Sequence, residues 1–310
     1  MASTQNLKRR IRSVQNIGTI TKAMELVAAT KMRRSQELAL ASRPYAYTAL
    51  ELLGTLSELK DVPLPELLVP RPIERTLFVI MTSDKGLAGS FNSSILKKFE
   101  IFIKENGIDL TDPHYLFAAI GQKAKSYLER KKLPIAATFF RVSDFTRPEE
   151  TDPIAEFLIS GYIRHEFDSA ILFFSTFVTV LRQDAVFREF LPVTYDAIKA
   201  SIEDTIPRAG KYSNYAESPS FFQGIPREYI IEPSPREVLA ELAPQLLKTR
   251  VYHAILESNA SEYSARRMAM KNASDNANDL SKNLNLEYNK SRQAAVTNEI
   301  IEVTSGSAAS

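Results

Sequence analysis

The stretch of this chain most suggestive of chemistry is "TSDKGLAGSFN" (82–92), which follows a short apolar run, "TLFVIM" (76–81). A turn that leaves a strand and opens a helix is where backbone N–H groups can cradle a phosphate. Gly86 and Gly89 are present, but neither G-x-G-x-x-G nor G-x-x-x-x-G-K-[ST] is. The competing reading is a tight turn in which both glycines let the backbone bend. Other reactive types are scattered. His114, His165 and His253 show no metal spacing, cysteine is missing from the composition, and no G-x-S-x-G elbow occurs. The acid pair Glu149-Glu150 lies in an apparent loop. No metal or cofactor is expected on these residues, nor catalysis by this chain alone.

Charge is more informative. The net charge of +2 conceals a cationic N-terminus, where Lys8, Arg9, Arg10, Arg12, Lys22, Lys31, Arg33 and Arg34 face one acid, Glu25. Three readings fit: a solvated helix face, a nucleic-acid contact, or attraction to an acidic protein surface. Aromatics to stack on bases begin only at Tyr45. The acid-poor start also has the composition of a mitochondrial transit peptide, but its helical pattern continues well past the length of a presequence. Disulfides and thiol chemistry are excluded without cysteine. No apolar run reaches the roughly 20 residues of a membrane-spanning helix.

Stepping outward, the chain reads as three zones. In the first, Leu7, Ile11, Val14, Ile17, Ile20, Met24, Val27 and Ala28 recur mostly at three- and four-residue steps, the spacing of supercoiled helices. Pro44 predicts a kink or break, after which "TALELLGTLSEL" (48–59) resumes the helix. The second zone follows "VPLPELLVPRP" (62–72) and alternates strands at 76–81, 115–119, 136–140, 170–175 and 186–191 with helices at 92–106, 122–132 and 153–165. That alternation predicts a mainly parallel sheet covered on both faces. A loop (207–233) leads to the third zone, opened by the capping box Ser234-Pro235-Arg236-Glu237. Its helical lettering runs to about Thr304, with a kink expected at Pro244, and about sixty residues at 1.5 Å each make a rod of roughly 90 Å. Residues 258–279 are mainly Ala, Ser and Asn, suited to close approach of a partner helix or to a thin exposed shaft. The expected organisation is a terminal helix (1–58), a linker (59–74), an α/β domain (75–206), a loop (207–233) and a second terminal helix (234–310).

Two stretches carry a resemblance. "RRIRSVQNIGTITKAMELVAATKMRRSQ" (9–36) resembles the N-terminal helix of the γ subunit of F-type ATP synthases. "NKSRQAAVTNEIIEV" (289–303), preceded by "ARRMAMKNASDNANDL" (265–280), resembles that family's C-terminal helix. "SDKGLAGSFN" (83–92) resembles the turn after the first strand of its middle domain, with Ala88 where a cysteine is usual. The resemblance implies an α/β protein: a long antiparallel left-handed coiled coil of the terminal helices with an inserted Rossmann-like, mainly parallel sheet domain. It also implies a central rotor shaft turned by ion flux through a c-ring, and not an enzyme in its own right.

The implied partners are the α and β subunits of the catalytic ring, the ε subunit and the c-ring, with no nucleic acid. The implied location is the cytoplasmic face of the bacterial membrane, as a peripheral subunit associated through the membrane sector. Met24 matches the residue lying against an acidic lever loop of β, with Lys22, Lys31, Arg33 and Arg34 as its electrostatic partners. Arg292 and Gln293 match the pair that engages a β catch loop, followed by Thr297 and Glu299. In "REYIIEP" (227–233), Tyr229 and Glu232 match the c-ring contact, and Ile231 stands where an aromatic often occurs. The polar tail "TSGSAAS" departs from the family's apolar ending. The competing classes are a free-standing α/β nucleotide-binding protein and a nucleic-acid-binding coiled coil. Binding of ATP by the isolated chain would favour the former.

Overall fold

The computed structural model describes residues 4–57, 64–142, 147–193 and 232–308. Two compact units are present: residues 30–265 form one, and 1–29 with 266–310 form the other. Helix α1 spans Thr4–Ser57 and helix α5 spans Pro235–Ala308, so each unit contains part of both.

The larger unit is built on a five-stranded sheet. Strands β1 (Thr76–Met81), β2 (Tyr115–Ile120), β3 (Ile135–Phe139), β4 (Ser169–Phe177) and β5 (Gln183–Leu191) lie in the order β3-β2-β1-β4-β5. The first four are parallel; β5 joins β4 antiparallel through a tight hairpin. Strand β1 is apolar on both faces because both faces are covered. Phe78 and Ile80 pack under α2 (Phe91–Glu105) and α3 (Gln122–Arg130). Leu77, Val79 and Met81 pack on the other side, where α4 (Asp152–Ile163) meets Leu239, Ala243, Leu246, Leu247, Val251 and Ile255 of α5. Helix α2 presents Phe91, Ile95, Phe99 and Ile103, at the four-residue repeat of one helix face, to an aromatic cluster that includes Phe173.

The expected α/β architecture is present, with three corrections of detail. First, the chain does not break at Pro44: helix α1 continues through it, as α5 continues through Pro244, where a kink rather than a break is expected. Packing on both sides outweighs the lost hydrogen bond: Ala39 meets Tyr252 and Leu256 before Pro44, and Leu52 reaches the sheet core after it. Second, α5 is not a bare shaft from its start. Residues 250–264 are buried within the larger unit. Their polar side chains are satisfied there: Asn259 donates to Val142 O (2.9 Å), Ser261 to Ser175 O (3.2 Å) and Ser264 to Val180 O (2.8 Å).

The third correction concerns the helix seam of the smaller unit. Leu7 and Ile11 are buried and Val14 half-buried as expected, packing with Leu284 and Tyr288. Beyond Val14 the buried positions are Gly18, Thr21, Glu25 and Ala28, continuing the alternation of four and three residues that a coiled coil requires. Ile17, Ile20 and Val27, expected inside, are 50%, 59% and 56% exposed. Small residues set the helix separation here. A Cβ on Gly18 would lie 3.5 Å from that of Ala277, and Ser274 approaches Gly18 O. Early residues of α1 thus meet late residues of α5. The helices are antiparallel in the larger unit too, where Lys31 reaches Tyr263 and Ser42 reaches His253.

Candidate interaction surface

In the smaller unit, moving the seam to Gly18, Thr21, Glu25 and Ala28 turns a different stripe outward. Ile17, Ile20, Met24 and Val27 follow one another at three- and four-residue steps, so they share a helix face. Met24 is half-buried and the other three are exposed. The apolar pattern alone hides this face, because large apolar residues ordinarily mark the inside of a helix pair. The signal that could have found it is the strict heptad from Leu7, which falls on Gly18 and Thr21 rather than on Ile17 and Ile20.

The same helix carries exposed cations. Lys8, Arg9, Arg10 and Arg12 are exposed. Lys22 is exposed and pairs with the nearly buried Glu25 at 2.9 Å, so part of its charge is answered within the helix. On α5, Arg292, Gln293 and Thr297 are exposed, and the Thr297 hydroxyl donates to Gln293 O at 2.9 Å. Val296 (49%), Ile300 (58%) and Ile301 (54%) are exposed around them. The side chain of Glu299 lies outside the described set.

In the larger unit, Lys31, Arg33 and Arg34 are exposed. Lys31 is tied down: its ammonium bonds the Tyr263 hydroxyl at 3.2 Å and sits 5.2 Å from that ring's centre. Burial raises the pKa of the Tyr252 hydroxyl, while Arg34 acts in the opposite sense. Glu232 is exposed, and Tyr229 and Ile231 lie outside the described residues.

The glycine turn resolves into architecture. Ser83 is pinned to Asn92, its N–H donating to Asn92 Oδ1 at 2.9 Å, and Thr82 Oγ1 accepts from Ala124 N at 2.7 Å. Asp84 places one carboxylate oxygen 3.1 Å from Gln122 N and the other 2.7 Å from Arg141 N. Asp84 of the turn thus fills the start of α3 with the chain's own carboxylate. Gly121 is required beside it. Its φ is +89°, and a Cβ would stand 2.1 Å from Thr82 O. His114 pairs locally with Asp112, and His165 with Glu66. Among the described residues no group of His, Cys, Asp or Glu could hold a metal, and no helix is long and apolar enough to cross a membrane.

The class these features define is a doubly wound sheet domain with long terminal helices that pair antiparallel and carry an exposed apolar stripe. Residues 3–309 match the sequence family described as ATP synthase. The chain is 38% identical over 306 residues to the ATP synthase gamma chain of Geotalea daltonii, covering 99% of this chain and 98% of that one. It is 36% identical to the gamma chain of Picosynechococcus sp., with 99% of each covered. The fold is similar to a chain of the Euglena gracilis mitochondrial ATP synthase (OSCP/F1/c-ring), with TM-score 0.63, 16% identity, and 99% and 94% of the two chains covered. It is also similar to one in the Tetrahymena thermophila central stalk and c-ring, with TM-score 0.54, 23% identity, and 82% and 99% covered. The chain belongs to the ATP synthase gamma chain family.

Proposed function

We propose that this chain is the central rotor shaft of an F-type ATP synthase, a non-catalytic subunit coupling ion-driven rotation of a c-ring to conformational cycling of a ring of α and β subunits. The α and β subunits would surround the paired helices, the c-ring would meet the segment that includes Tyr229, Ile231 and Glu232, and ε would be a further partner. Such a subunit would sit peripherally on the cytoplasmic face of a bacterial membrane. Family membership supports the role.

The observation that carries the reading is the outward stripe Ile17, Ile20, Met24 and Val27 beside a run of exposed cations. A helix pair that buries its small residues and displays its large ones is built to contact something other than itself. The test is Ile17→Ser together with Ile20→Ser, in a chain reconstituted with its α and β subunits. Neither residue belongs to the seam, so helicity should persist while ATP-driven rotation weakens. Normal rotation in that variant would remove the stripe from the mechanism.

A further inference from the structure

In the larger unit, one buried acid has no structural counterpart. Glu257 on α5 is 9% exposed. Among the described residues its carboxylate makes no hydrogen bond or close ion pair, whereas Arg250, Asn259 and Ser261 on the same buried stretch each donate to a backbone carbonyl. It lines a small cavity together with Phe174 of β4, Arg188 and Phe190 of β5, and Arg250, His253 and Ala254 of α5. The space admits no more than about one water molecule.

The surrounding charges are individually engaged. Arg250 turns its guanidinium to the backbone, donating to Phe190 O at 3.2 Å and Glu189 O at 2.6 Å, with its plane 4.6 Å from the Phe190 ring. His253 Nε2 lies 2.6 Å from the Ser42 hydroxyl of α1. The charged residues on the facing stretch of α1, Arg34 and Glu37, are exposed. Arg188 is the cation that acts on Glu257. An ionised carboxylate in such a site costs several kcal/mol unless paired and hydrogen-bonded.

We infer that Glu257 is a buried proton-binding carboxyl, neutral while α5 is seated on β4 and β5, and that its ionisation loosens this seat. Burial raises its pKa from 4.5 to about 8, and Arg188 opposes that only in part. The sign follows. Between those two values the folded state keeps a proton that the opened state releases, so stability is greatest at the lower pH and falls as pH rises through this window. The junction that fixes the long helix to its domain therefore responds to pH near neutrality, in a subunit that needs no titrating group for catalysis.

The test is hydrogen exchange by mass spectrometry on peptides covering 246–264 of the full-length chain, between pH 6 and 8 and corrected for intrinsic rates. In the unmodified chain, opening should increase with pH, approaching about tenfold per unit. Glu257→Gln should flatten that slope, and His253→Gln should retain it. An unmodified chain with the same slope as Glu257→Gln overturns the proposal, as does loss of the slope in His253→Gln alone. Should the Gln variant fail to fold, Glu257→Met supplies the same comparison, and a pH slope persisting in it overturns the assignment.

Discussion

Gly18 sits mid-helix, where glycine costs roughly 1 kcal/mol relative to alanine, and it faces Ala277 across the seam. The 3.5 Å clearance leaves room for one methyl and no more. Gly18→Ala should stabilise the smaller unit by about 0.5–1 kcal/mol, whereas Gly18→Leu should displace α5 and cost about 1–3 kcal/mol. Circular dichroism melts of the two variants decide this. At Asp168 the argument concerns pH. Arg71 Nε lies 2.6 Å from one oxygen, and the N–H groups of Glu74 and Arg75 lie 3.0 Å from the other. Burial alone would raise this carboxyl, but those N–H groups and the Arg71 guanidinium outweigh it and hold it below the ordinary range. Its contribution is full above the ordinary carboxylate pKa and is lost as pH falls through the lowered one. Acid titration of the fold should therefore show a low-pH loss that Asp168→Asn abolishes. Single residues were where the sequence misled most: Ile17 and Ile20 have the right chemistry for a core, and only the three-dimensional heptad shows that smaller neighbours occupy it.

Among the elements, the strands were the most legible. Continuous apolar runs such as Thr76–Met81 have one physical solution, a sheet buried on both faces, and their positions came within a few residues of the observed ones. The middle of α5 was harder, because Ala, Ser and Asn suit either a close partner or an exposed shaft until the carbonyls that receive them are known. The turn after β1 was legible as a turn, but not the role of Asp84, whose partners Gln122 and Arg141 are distant in sequence. Gly121→Ala should prevent this domain from folding, since the methyl would overlap Thr82 O and the backbone cannot retreat without breaking the pairing of β1 and β2. Loss of soluble, protease-resistant 64–193 fragment within the full chain is the readout. Asp84→Ala should be milder, costing about 1 kcal/mol, because both N–H groups are exposed and water can replace the carboxylate. It should create no affinity for ATP, which equilibrium dialysis would detect.

At the scale of the whole molecule, a rotor that touched every catalytic subunit equally at every angle would shift none of them, because only differential contact moves a conformational equilibrium. The asymmetry must therefore lie in what each helix displays. Helix α1 offers Met24 within an apolar stripe and Lys22 on another face, and α5 offers Arg292 and Gln293, all exposed but the half-buried methionine. Arg292→Ala or Gln293→Ala should lower ATP turnover of the reconstituted complex without altering the chain's helicity, because neither side chain is buried. Met24→Lys tests the other helix. It places a cation on a face that, under the rotor reading, meets an acidic loop, so the contact should tighten at one angle and resist passage to the next. ATP hydrolysis should then continue while ion pumping per ATP falls, and Met24→Leu, which keeps the apolar volume, should pump normally. Parallel measurements of hydrolysis and pumping in membrane vesicles separate the two outcomes. Equal pumping by the Lys and Leu variants would mean that charge at this position has no part in transmitting torque.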